Sequence, residues 1–101
     1  MRMLMHFEFP LEPFNQSLRD GSAGEKIQRI LETISPEAVY FSEKDGKRAG
    51  VMVVNVDSPS DVPRLAEPLF LTFNAAVEFR IAMTPEDLGK AGLDEIGKKW
   101  R

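Results

Sequence analysis

Residues 2–9, RMLMHFEF, carry the pattern on which the fold turns. Met3, Met5, Phe7 and Phe9 fall on one side, and Leu4, His6 and Glu8 on the other, which is the two-residue period of a strand. Pro10 and Pro13 close the segment. Its thioether and phenyl groups need a covering layer, so this edge turns inward to helices and the side bearing His6 turns away. The same alternation returns in AVEFRIA at 76–82. There Val77, Phe79 and Ile81 face one way and Glu78 and Arg80 the other.

Between these two stretches lie a helical region, a hairpin and a second helix. Phe14 and Leu18 share a helical face, and Asp20-Gly21 breaks it. Ser22 and Glu25 have the spacing of a capping box. Ile27, Ile30, Leu31 and Ile34 form one apolar stripe that must be buried, and Ser35-Pro36 ends the helix. Residues 38–43 and 50–56 are rich in β-branched and aromatic types, and the EKDGKR stretch between them holds an Asp45-Gly46 turn pair. Residues 58–61 supply cap residues, Pro63 fits a first helical turn, and Pro68 should shorten or kink the helix begun there. Thr84, Pro85 and Asp87 start a last helix that Gly89 and Gly92 weaken, with Leu93, Ile96 and Trp100 as its apolar patch.

The expected elements are strands near 2–9, 38–43, 50–56 and 76–82, with helices near 13–34 (broken near 21), 60–70 and 85–98. This order is that of the ferredoxin-like β-α-β-β-α-β unit, an α+β fold with an antiparallel sheet, first and last strands adjacent, and helices on one face. At 101 residues the chain has room for one such domain and a short C-terminal helical tail.

Composition narrows the function. Apolar residues make up 43% of the chain, far from the signature of disorder. Thirteen basic residues against sixteen acidic ones give a net charge of −3, and the cations are scattered, so nucleic acid is not an expected partner. With no cysteine and one histidine, disulfides, thiolate nucleophiles and a tetrahedral zinc site are not expected, nor is any cofactor. The opening segment is too interrupted for a signal peptide, no run is long enough for a membrane helix, and the cytoplasm is the expected compartment. DGSAGEK does not match the spacing of a phosphate-binding loop.

The strand register sends Leu4, His6, Glu8, Tyr40, Val51, Val53, Asn55, Glu78 and Arg80 to the face without helices. A half-apolar face with nothing left to cover it implies a two-fold dimer. His6, Glu8, Glu78 and Arg80 form its sharpest group. A histidine beside a carboxylate can move a proton and an arginine can hold an oxyanion; the competing reading is a cross-strand ion-pair ladder that sets register or dimer contact. Tyr40, Asn55, Leu4 and Val53 are the candidate ligand-lining residues, with interface packing or a strand-end turn as their alternatives.

The element order, the length and the segment FNAAVEFRIAMTPEDLGKAG at 73–92 resemble small bacterial members of the dimeric α/β-barrel superfamily. That resemblance implies two ferredoxin-like sheets facing each other around a cavity. It makes cofactor-free proton transfer, of the isomerase or oxygenase kind, one expectation for a small-molecule ligand held near His6, Tyr40 and Arg80. The other expectation is a non-catalytic binding or interaction module that uses the same face to dimerise.

Overall fold

A computed structural model describes residues 1–101. It contains, in chain order, β1 (Arg2–Glu8), α1 (Leu11–Arg19), α2 (Ala23–Ile34), β2 (Ala38–Lys44), β3 (Lys47–Asn55), α3 (Asp61–Phe73), β4 (Ala76–Ile81), α4 (Pro85–Gly89) and α5 (Leu93–Lys99). The four strands form one open antiparallel sheet in the order β2-β3-β1-β4. The first and last strands are neighbours, the adjacency expected from the element order and right-handed crossovers.

The hairpin turn sets the sheet. Asp45 and Gly46 take φ of 53° and 76°, the left-handed pair of a two-residue turn whose twist matches its flanking strands. Lys44 therefore pairs with Lys47, and both strands run right up to the turn. The sequence pattern alone starts the second hairpin strand only at Gly50. The tight turn starts it at Lys47 instead, which makes Arg48 a strand residue.

Alternation then divides the sheet. Met5, Phe7, Met52 and Val54 are buried and join Phe14, Ala23, Ile30, Ile34, Leu69 and Phe73 from α1, α2 and α3 in one cluster. Burying each large apolar side chain contributes about 1.5–3 kcal/mol, so this cluster dominates stability. Val77 and Phe79 pack against its edge. Ile81, the last residue of β4, does not reach it and stays 60% exposed. Phe9, Phe14 and Phe73 form a triangle of rings with centroids 4.8–5.4 Å apart, tying the end of β1 to both helical segments.

On the inner face Phe7, Gly50 and Phe41 lie in one cross-strand row. Gly50 leaves room for the Phe7 ring to lie across β3 and meet Phe41 edge-on at 5.9 Å. A Cβ at position 50 would run into the Phe7 ring and the Tyr40 carbonyl oxygen.

Several local expectations are corrected. The Ser22–Glu25 capping box does not form; Ser22 donates both its backbone N–H (2.9 Å) and its hydroxyl (2.6 Å) to Asp20 Oδ1. That closer carboxylate satisfies the serine first. Leu18 is 53% exposed and Ser17 is buried in its stead, held by Lys26 Nζ at 2.8 Å, because α1 turns the Phe14-Ser17 side to the core. Pro68 does not shorten α3, which runs on to Phe73; the buried Leu69 and Phe73 beyond the proline hold that last turn in place. The expected single helix at 85–98 is two, since Gly92 at φ 68° interrupts it.

Residues beyond β4 form an arm. Neither α4 nor α5 buries a residue, and Met83, Leu88, Leu93, Ile96 and Trp100 all stay exposed. The radius of gyration is 17.2 Å, against about 13 Å for a compact chain of this length, and the longest dimension is 60 Å. A true capping box starts the arm: Thr84 N–H donates to Asp87 Oδ2 (3.0 Å) and Asp87 N–H to Thr84 Oγ1 (3.1 Å). The Thr84 backbone N–H, then its hydroxyl, then the charge of Arg2 hold the Asp87 carboxyl below its ordinary 3.8.

Gly50→Ala should lower unfolding stability by about 1–3 kcal/mol in urea denaturation, the usual cost of overpacking a core; a neutral result would disprove the tight row. The depressed Asp87 carboxyl contributes stability above the ordinary aspartate range and loses it as pH falls through its folded value. Carbon-detected NMR should place its midpoint below 3.8, with the amide signals of α4 collapsing over the same acid range and Asp87→Asn removing that transition.

Candidate functional site

The open face is built by register. His6 lies opposite Val51 on one side and Glu78 on the other, while Leu4 lies between Val53 and Arg80. Tyr40 pairs with Val51, so Tyr40, Val51, His6 and Glu78 make one row across all four strands. Ala38, Val53, Leu4 and Arg80 make the next. Side chains paired across antiparallel strands share a face. Leu4, His6, Glu8, Tyr40, Val53, Asn55, Glu78 and Arg80 thus all lie on the side of the sheet opposite the helices.

Their polar connections are local. Arg80 Nε donates to Glu78 Oε1 at 3.2 Å, two residues away on the same strand. Glu8 faces Lys47 at 3.4 Å and Lys44 at 3.9 Å, drawn towards the hairpin and away from His6. No carboxylate lies within ion-pair distance of the imidazole of His6. Asn55 ties down a strand end, accepting from the N-terminal ammonium at 3.1 Å and donating to Asp57 Oδ1 at 2.8 Å.

A shallow hollow of about 380 Å³ lies on this face, lined by His6, Tyr40, Val51, Glu78 and Arg80 together with the β2–β3 strands near Ser42 and Ala49. Leu4, Val53 and Asn55 lie outside it. Glu8 borders a smaller adjoining hollow with His6 and Glu78. A catalytic base is typically oriented by a neighbouring hydrogen-bonding group. In this arrangement Glu78 gives its oxygen to Arg80, and His6 has no orienting partner. No three side chains of the metal-binding types come together anywhere in the chain.

Two further features are not visible in the sequence pattern. On the helical side a groove of about 690 Å³ runs between α2 and α3 past Lys26, Arg29, Arg64 and Glu67. Lys26 there is bound to Ser17 and Arg64 to Asp61 (2.7 Å). The second feature is Arg48. Alternation from the tight turn places it on the inner face with Gly50 and Met52, its guanidinium carbon 4.6 Å from the Phe14 ring centroid. The two-residue spacing from Met52 back to Arg48 is the signal that could have found it; assigning 47–49 to the turn conceals it.

No helix is long and apolar enough to cross a membrane. A scan against protein-family models finds no match, and a search of curated proteins likewise returns none.

The Glu78–Arg80 pair is about 60% exposed on both sides, so a double-mutant cycle with Glu78→Gln and Arg80→Gln should give a coupling under about 1 kcal/mol in dilute, single-chain protein. A coupling of several kcal/mol there would instead mark the pair as desolvated within one chain.

Proposed function

We propose that the chain is a homodimeric, non-catalytic binding module, built as a ferredoxin-like unit of the dimeric α/β-barrel kind, whose open sheet face is the contact between copies. The observation carrying this reading is uncovered apolar surface in two places at once. Tyr40 is 66% exposed in the row with Val51, beside the half-buried Leu4 and Val53, and the arm displays Met83, Leu88, Leu93, Ile96 and Trp100 to water. Contiguous exposed apolar surface of this kind is normally covered by a partner.

The element order and the central position of β1 between β3 and β4 support the ferredoxin-like assignment. Area supports the use of both surfaces. Four strands at their usual spacing offer roughly 400 Å² of sheet face, about half of the ~800 Å² per partner that a stable interface buries. An arm laid over the second copy supplies the remainder. An isologous contact brings the same patch of both copies together, with Leu4, Val51, Val53 and Tyr40 as its apolar centre.

On this reading His6, Glu8, Glu78 and Arg80 are a polar rim and register ladder rather than catalytic groups. Glu78 and Arg80 neutralise each other, Glu8 is matched by two lysines, and charge set down in this way lets the face approach a second copy without stranding unpaired ions.

Sedimentation equilibrium should give a mass twice the 11.4 kDa of the chain, falling to one chain's mass at low concentration. Trp100, 81% exposed in the isolated chain, should shift its emission to the blue as dimer forms. Val53→Glu should abolish the dimer while leaving the circular dichroism of the fold intact, and removing residues 83–101 should weaken it. A single-chain mass at all concentrations, with emission fixed at the water-exposed wavelength, would refute the reading.

A further inference from the structure

Arg48 is a partly buried cation at the edge of the apolar core. It leaves β3 on the inner face, and its guanidinium sits over the Phe14 ring at 4.6 Å. Its Nη1 is buried without any hydrogen-bond partner, the sole such side-chain atom in the chain. The strand register puts Glu43 directly opposite, yet Glu43 Oε2 accepts from the Gly46 N–H at 3.1 Å, and no carboxylate forms an ion pair with Arg48. Leaving a charged donor atom buried and unmatched is costly. A ring face offsets part of this and leaves the planar fork of donors unused.

Beside the guanidinium lies a cavity of about 260 Å³ lined by Phe9, Phe14, Ile27, Phe41 and Arg48. Its walls are mostly aromatic and aliphatic, with Ser42 and Ala49 completing the lining, and Arg48 is its only charge. Phe41, on the edge strand, is 56% exposed and forms the mouth. Small-molecule sites combine mostly apolar walls with a few placed polar groups, and this volume is just under their usual lower bound of about 300 Å³. The ligand that fits is therefore small, apolar over most of its surface and anionic at one end.

We propose that this cavity binds a small aromatic or short aliphatic monocarboxylate, with its carboxylate on the Arg48 guanidinium and its apolar body against Phe9, Phe14, Ile27 and Phe41. Carboxylate and guanidinium match as a two-point, charge-assisted pair, and the ring of Phe14 shifts from covering Nη1 to flanking the ligand. The cavity's apolar walls come from the helical side of the sheet, and it shares Ser42 and Ala49 with the rim of the open-face hollow.

Sodium benzoate is the probe, with benzamide as its uncharged isostere. Benzoate titrated into nitrogen-15-labelled protein should shift the Arg48 Nε–Hε signal and the Phe14 and Phe41 ring signals saturably, and benzamide should bind at least tenfold more weakly. Arg48→Met, which keeps the stem packed on Phe14, should lower benzoate affinity at least tenfold. If that variant fails to fold, Arg48→Lys provides the comparison, because it keeps the charge and loses the fork. Absence of a saturable shift in the wild-type protein, equal binding of benzamide, or unchanged affinity in the folded variant would each overturn the proposal, leaving Arg48 as a cation stacked on Phe14 and nothing more.

Discussion

Register is the constraint on which the rest of this structure hangs, and it is held by two residues. Asp45 and Gly46 both adopt left-handed backbone angles, so the hairpin closes with no spare residue between Lys44 and Lys47. A slip of one position would exchange the faces of β3. Met52 and Val54 would leave the core, Val51 and Val53 would enter it, and Gly50 would no longer lie beneath the Phe7 ring. The same two residues therefore fix the core, the composition of the open face and the inward course of Arg48.

With register set, the two faces acquire different electrostatic characters. On the open side each charge meets an opposite one nearby: Arg80 with Glu78, and Lys44 and Lys47 with Glu8. Such exposed pairs contribute little to stability, but they set opposite charges side by side around an apolar strip. On the inner side the reverse holds. One partly buried guanidinium lies over the Phe14 ring, with its Nη1 buried and unpaired and no carboxylate in ion-pair contact. A surface of matched charges suits contact with its own copy; an unmatched charge in an apolar hollow suits an anion.

The arm adds a third element. Its capping box is fully formed and its acidic first-turn residues complement the helix dipole, so α4 is locally well specified. It is nevertheless set against nothing. Short helices are marginal in water without tertiary packing, and an arm with five large apolar side chains exposed draws its ordering from whatever covers it.

Much of this was already written in the chain. Two-residue alternation in 2–9 and 76–82, the Ile27-Ile30-Leu31-Ile34 stripe, the Asp45-Gly46 pair and the Thr84-Pro85-Asp87 cap depend on neighbours a few positions apart, and the sequence determines them along with the α+β class and the placing of His6, Glu78, Arg80 and Tyr40 on one face. Tertiary structure decided what depends on competition between distant or alternative partners. It decided that Asp20 rather than Glu25 engages Ser22, that α3 continues through Pro68 because Leu69 and Phe73 are buried beyond it, that Glu78 turns to Arg80 and not to His6, and that Arg48 comes to rest on Phe14. Local pattern fixes which way a side chain points; only the packed chain settles which of several reachable partners it meets, since that choice rests on relative distances and desolvation that no spacing in the sequence encodes.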